Sequence, residues 1–372
     1  MTLPDIHLSE QLNLLIKCNA SFSIFRLPWT DECHLILQTK GEPEKISDYA
    51  SLNGKKGFIM APFRVSPSNP IILIQADYYS DGWDNITTLL GQLEPEMNHL
   101  DFEQRTEMPQ HTDESENKKN YEQVFQQFKD PLEKKQFKKL VLSRYADIPL
   151  KEDFYPLKAF VEACNTYPRM MIYLVHTPFT GTWMGSTPEI LLNGQNDLWH
   201  TVALAGTIPF NPEIAEPEWS VKNREEQELV AKHVRQTIKT FGNKMVEEGP
   251  YPTRAGALIH LKTEFSFQLK DSKKLGDFIE ALHPTPAVCG YPKAETYQFI
   301  KDVEGYDRRY YAGFLGKIDP AGSTNLYVNL RCMEVFSNFA RLYAGGGILP
   351  LSEADAEWTE TQEKMKTMKK II

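Results

Sequence analysis

Short runs of β-branched and aromatic residues, closed by Pro, Gly or Asn, recur along this chain and greatly outnumber the strand–helix–strand alternations that a doubly wound fold requires. Phe22-Ser-Ile-Phe-Arg-Leu, His34-Leu-Ile-Leu-Gln and Ile71-Ile-Leu-Ile-Gln are early examples. Later runs fall at residues 140–145, 170–176, 190–192, 257–269, 326–336 and 339–343. That balance predicts an α+β fold with large antiparallel sheets. With 372 residues and 41% hydrophobic content, the chain can bury a substantial core, as two domains or one large one. Between residues 107 and 119 the composition turns charged and polar, which reads as a flexible connector between an N-terminal part, 1–106, and a region spanning 120–372. Residues 121–139 then have the charged periodicity of a helix.

Charge and motif content exclude several function classes. A net charge of −9 argues against a sequence-independent grip on nucleic acid, which needs clustered Lys and Arg to displace counterions. Cys18, Cys33, Cys164, Cys289 and Cys332 are odd in number and widely spaced, so neither a disulfide framework nor a zinc knuckle is indicated and a reducing cytoplasm fits. The N-terminus lacks a basic segment before an apolar core, and no apolar run approaches the roughly 18 residues that span a bilayer. Neither export nor membrane attachment is expected. No H-x-x-x-H pair or G-x-S-x-G elbow points to a zinc or serine hydrolase.

Charge sits oddly in three places. A helix over 221–241 puts Val230, Val234, Ile238 and Phe241 on one face, and one turn back from Val230 lies Glu226, which therefore points inward. It could complement the helix dipole or hold a metal. In the C-terminal helix, Ala354, Trp358, Met365, Met368 and Ile372 form an apolar stripe edged by Glu357, Glu360 and Lys364, which are either an ordinary exposed pairing or one wall of a site. Lys139 closes a basic run and by default is solvated. If the strand begins there, however, it shares a face with Val141 and Ser143 and could be buried and act as a base.

Other residues stay open on pattern alone. Three glycines in Ala344-Gly-Gly-Gly-Ile-Leu-Pro suit a bulge, a kink or close backbone approach to a small anion. Arg331 alternates with Tyr327 and Asn329, so it lies on an exposed polar face or forks a carboxylate. His260, inside a strand-like run, reads from pattern as a satisfied structural histidine rather than a catalyst.

Several segments occur in a telling order: Lys139-Leu-Val-Leu-Ser-Arg, Gly185-Ser-Thr-Pro-Glu-Ile-Leu-Leu, Leu204-Ala-Gly-Thr, Lys222-Asn-Arg-Glu-Glu-Gln-Glu-Leu-Val, Leu282-His-Pro-Thr-Pro-Ala-Val-Cys-Gly-Tyr-Pro, Tyr343-Ala-Gly-Gly-Gly-Ile and Glu357-Trp-Thr-Glu-Thr. In these the chain resembles the chorismate-utilising enzymes, and among their branches it looks most like the isochorismate synthases. The match covers roughly residues 120–372, with Gly57-Phe-Ile-Met-Ala-Pro-Phe the main likeness before it. The resemblance implies a single large α+β domain of two packed antiparallel sheets with helices outside, and a buried site for chorismate and Mg²⁺. By motif position it implies Glu226 and Glu360 as principal magnesium ligands with Glu357 nearby, Lys139 as the base and Glu189 as the acid. It further implies that Arg331, Tyr343, Gly345 and Lys364 hold the substrate's carboxylates, and that Gly206, Thr207 and His260 line the ring pocket. Such an acid and base need shifted pKa values, and burial pushes both the required way.

Gln227 departs from the histidine common beside the metal-binding glutamate of this family. Among relatives, anthranilate synthases typically lack the lysine at position 139, so no glutaminase subunit is expected. Aminodeoxychorismate synthases often carry a nucleophilic lysine where Ala205 stands. Salicylate synthases share the lysine and the glutamates and remain the alternative, as does, outside catalysis, a chorismate-binding paralogue without activity. Isochorismate would serve menaquinone or siderophore biosynthesis.

Overall fold

The computed structural model describes residues 6–97, 114–195, 197–213, 217–255 and 258–372. The first part carries α1 (Ile6–Lys17), β1 (Ser21–Arg26), β2 (Cys33–Gln38), β3 (Glu44–Ile46), β4 (Gly57–Ala61), β5 (Ile71–Ile74), β6 (Tyr78–Asp81) and α2 (Trp83–Met97). There follow α3 (Glu114–Glu133), β7 (Lys139–Pro149), α4 (Pro156–Thr166), β8 (Met171–Thr177), β9 (Gly181–Thr187), β10 (Ile190–Gln195), β11 (Leu198–Pro209) and α5 (Val221–Phe241). The last part holds β12 (Gly242–Ala255), β13 (Leu258–Leu269), α6 (Leu275–Leu282), β14 (Gly290–Tyr291), α7 (Lys293–Val303), β15 (Phe314–Ile318), β16 (Ser323–Val328), β17 (Cys332–Val335), β18 (Phe339–Ile348) and α8 (Ala354–Lys369).

Among the described residues, the strands form two nine-stranded sheets, ordered β14-β7-β18-β17-β9-β8-β1-β2-β6 and β12-β13-β11-β10-β16-β15-β4-β5-β3. Every neighbouring pair is antiparallel. The α+β expectation with two packed sheets holds. One core cluster joins residues of both sheets, among them Phe25, Ile59, Leu73, Trp183, Leu326 and Tyr343, and runs on to Val230 and Ile238 of α5. A second lies between the first sheet and α1, α2, α4 and α8, through Leu12, Leu90, Phe160 and Met365. Strands β1, β4, β5 and β8 are covered on both faces and buried at every position, and β4 and β5 are accordingly unbroken apolar runs.

Three local expectations need correction. Residues 114–119, taken as the end of a connector, are the opening turns of α3, whose polar side chains find partners: Asn117 Nδ2 donates to Tyr145 O (3.4 Å), and Lys118 pairs with Glu122 and Asp355. Residues 107–113 lie outside the described residues. The helix expected to reach 139 stops at Glu133, because Lys135 adopts φ +57° in a turn and frees Lys139 to open β7. The run over 326–336 is two strands in different sheets, β16 and β17, joined through Asn329, Leu330 and Arg331. Buried Asn329 holds this crossing by donating to Tyr310 O (2.8 Å) and accepting from Tyr173 Oη. Apolar alternation continues across the crossing, so periodicity alone cannot reveal it.

Candidate functional site

One cavity opens where both sheets, α5 and α8 converge. Its lining includes Val141 of β7, Glu189 after β9, Leu204, Ala205 and Thr207 of β11, Glu226 of α5 and His260 of β13. Tyr311, Arg331, residues of β18 from Tyr343 to Gly347, and Glu360 and Lys364 of α8 complete most of the wall. Of the twelve residues singled out above, nine line this space; Lys139, Gly206 and Glu357 stand immediately behind it.

Lys139 is fully buried, as the strand reading required, on the same face as Val141. Its Nζ lies 2.8 Å from Glu226 Oε1. Glu226 does turn inward from α5, a helix opened by Ser220 Oγ accepting the Asn223 N–H (3.2 Å). Burial pushes the Glu226 carboxyl up, but the ammonium groups of Lys139, Lys222 and Lys364 outweigh it and hold the group below its ordinary value. The three glycines sit inside β18 in unbroken register, Gly345 opposite Ser143 and Gly347 opposite Val141. They make neither bulge nor kink. A Cβ on Gly347 would collide with Glu226 Oε1, and one on Gly346 would come within 3.1 Å of Glu357 Oε2. The bare backbone leaves room for buried carboxylates.

The two other carboxylates are also paired with lysines. Lys222 Nζ lies 2.5 Å from Glu357 Oε1, which also accepts from Ser352 Oγ (2.7 Å). Lys364 Nζ lies 2.6 Å from Glu360 Oε1 and donates to Gly345 O (2.8 Å). Burial, with Glu360 close by, raises the Glu357 carboxyl against the pull of Lys222.

Glu189 is 4% exposed. Burial pushes its carboxyl up to about 7, although the cations Lys139, Lys364 and Arg331 pull the other way. A carboxyl poised there can hold a proton near neutrality and release it to a leaving group. His260 Nδ1 lies 3.1 Å from Thr207 Oγ1, while its Nε2 is buried without a partner. Burial and the cations Arg331 and Lys364 hold His260 well below the usual range, so it is neutral at pH 7 and can hydrogen-bond an anion without adding charge. Gly206 takes φ +68° at a bulge between Ala205 and Thr207, where a side chain would press on Asn223 O at 2.9 Å.

Arg331 is not on a strand face. It occupies the sheet crossing with φ +47°, is 7% exposed, and reaches Thr367 Oγ1 with Nη1 at 3.4 Å. Tyr343 stacks between Trp183 and Tyr311, with centroids 5.4 Å away on each side, and its hydroxyl donates to Glu334 Oε2 (3.3 Å). Tyr311 and Lys222 were not singled out. Tyr311 lies in an irregular segment with no period, and Lys222 looks like a solvated charge at a helix start. Gln227 faces the second sheet and donates to Ala203 O and Thr263 Oγ1, both at 3.0 Å, so it fastens α5 beside Glu226.

Among the described residues, no three His, Cys, Asp or Glu side chains converge as a ready-made metal cluster. The donor set nonetheless suits a hard cation that takes one or two protein carboxylates and keeps waters, and Glu357 Oε2 is buried without a hydrogen-bond partner. Among the described residues, no helix is long and apolar enough to cross a membrane.

A protein-family model described as "Chorismate binding enzyme" matches residues 44–372. The chain belongs to the chorismate-binding enzyme family. Within it, the chain is 30% identical over 252 residues to the isochorismate synthase EntC of Escherichia coli K12, covering 64% of this chain and 63% of that protein. It is also 30% identical over 247 residues to the vibriobactin-specific isochorismate synthase of Vibrio cholerae, covering 62% and 60%. These matches thus span somewhat less than two thirds of either relative. In fold, it resembles the solved menaquinone-specific isochorismate synthase MenF of Escherichia coli, with a TM-score of 0.73 at 20% identity over 96% of this chain and 90% of that one.

Proposed function

We propose that this member of the chorismate-binding family is an isochorismate synthase, a magnesium-dependent isomerase that adds water at ring carbon 2 of chorismate and removes the hydroxyl from carbon 4. The observation that carries the reading is the meeting of two buried groups at one cavity: Glu189, with its carboxyl raised to about 7, and Lys139, drawn in by Glu226. Lys139 accepts a proton from the water that attacks carbon 2. Glu189 gives its proton to the hydroxyl leaving carbon 4. One water enters, one departs, and the double bonds shift between the two carbons.

The remaining groups bind and orient. Arg331, with Lys364 and the backbone at Gly345, offers donors for carboxylates where Tyr343 forms the wall beside them, while Thr207 and His260 border the ring with neutral hydrogen-bonding groups next to Gly206. Glu226 and Glu360, with Glu357 nearby, would hold Mg²⁺, which when bound neutralises and orients the ring carboxylate. The family relatives named as isochorismate synthases support this product. Menaquinone and siderophore synthesis both use it.

Substitution tests the assignment. Lys139→Ala and Glu189→Gln should each lower kcat on the order of 100-fold or more while thermal unfolding stays cooperative. Near-normal turnover in either overturns the acid and base roles. Glu226→Ala or Glu360→Ala should abolish magnesium-dependent turnover; its persistence would remove those carboxylates from the metal site.

A further inference from the structure

Three carboxylate–lysine pairs stand at or behind the cavity wall: Glu226 with Lys139, Glu357 with Lys222, and Glu360 with Lys364. Two of the lysines are fixed by more than the pair. Lys139 is fully buried at the start of β7, and Lys364 also donates to Gly345 O. Lys222 differs, with a side chain 29% exposed and so a path to solvent.

Its position on the helix works against it. Lys222 stands in the first turn of α5, where the helix dipole disfavours a cation and no acidic residue of that turn compensates. The dipole therefore does not account for the lysine; ahead of Glu226, one turn along α5, and Glu360, the carboxylate that holds it most strongly is Glu357. That carboxylate is 3% exposed, spends Oε1 on Lys222 and Ser352, and keeps Oε2 buried without a hydrogen-bond partner. A buried carboxylate so incompletely satisfied needs a cation beside it.

We propose that Lys222 is an internal counter-cation that occupies Glu357 in the metal-free protein and competes with the divalent metal, swinging towards solvent as Mg²⁺ binds. The inference rests on the metal reading above. Its consequence is that the protein binds Mg²⁺ more weakly than its carboxylates alone would allow, so the site stays charge-balanced while it waits for metal. Lys139 cannot do this, since leaving Glu226 would strand it in the core.

Calorimetric titration of the substrate-free protein with MgCl2, paired with thermal unfolding in its presence and absence, tests the idea. Lys222→Gln should bind Mg²⁺ about tenfold or more tightly, unfold at a lower temperature without the metal, and gain more from adding it. Lys222→Arg keeps the charge and should stay within about threefold of wild type. Unchanged or weaker binding by Lys222→Gln overturns the proposal, and so does equal tightening in Lys222→Arg, because charge would then not be the cause. If the wild type takes up no Mg²⁺, the metal reading fails and this inference with it; wild-type binding without the tightening sinks this inference alone.

Discussion

Glu189 binds its proton more tightly in the folded chain, because burial raises the carboxyl from an ordinary 4.5 to about 7. The stability this contributes is complete below about pH 4.5 and is lost as pH rises through about 7. Between those limits the wild type should lose on the order of 3 kcal/mol relative to Glu189→Gln, measurable by denaturant unfolding at each pH. Parallel stability curves would show that the carboxyl is not raised. The same titration should give turnover a descending limb near pH 7 as the acid loses its proton. The inward turn of Glu226 could be read from Val230, Val234 and Ile238, and the burial of Lys139 from alternation with Val141, because both lie within regular elements. Arg331 could not be read this way, since its face was inferred from a strand that breaks two residues before it. Lys222 was illegible for another reason: its partner Glu357 is 135 residues away.

At the scale of elements, β18 and α5 together set the site. Gly347 has ordinary strand φ, so Ala fits the backbone there, but its Cβ would strike Glu226 Oε1 and lie 3.0 Å from Lys139 Cε. Both neighbours are ends of flexible side chains and can yield, so Gly347→Ala should cost at most about 1 kcal/mol of stability. Turnover should nevertheless fall at least about tenfold, since displacing catalytic groups by an ångström is enough for such losses. Wild-type rates in this variant would show that the glycine run is not there for the ion pair. The glycine run was visible in the sequence, but its purpose was not. Only the register against β7 and the approach of α5 show which side chains need the space.

For the whole molecule, the abundance of strands was enough to indicate large antiparallel sheets, because α+β class follows from element balance rather than from any single residue, while their number, two, came only with the family resemblance. What the balance could not give was the crossing at 329–331 or the role of the first strands. The family match begins at residue 44, yet β1 and β2 lie inside the first sheet, with β1 hydrogen-bonded to both β2 and β8. Removing residues 1–43 would expose the edge of β8 and uncover the apolar side chains that share a core cluster with Phe22, Ile24 and Leu35, such as Leu90, Phe160 and Leu174, so the truncated chain should aggregate or fail to unfold cooperatively. A soluble, cooperatively folded truncation would contradict that integration. The reaction itself is tested by incubating the protein with chorismate and Mg²⁺ and separating the products by chromatography. Isochorismate formed only with the metal, and lost in Lys139→Ala, is the predicted result; salicylate with pyruvate, or no product at all, would contradict it.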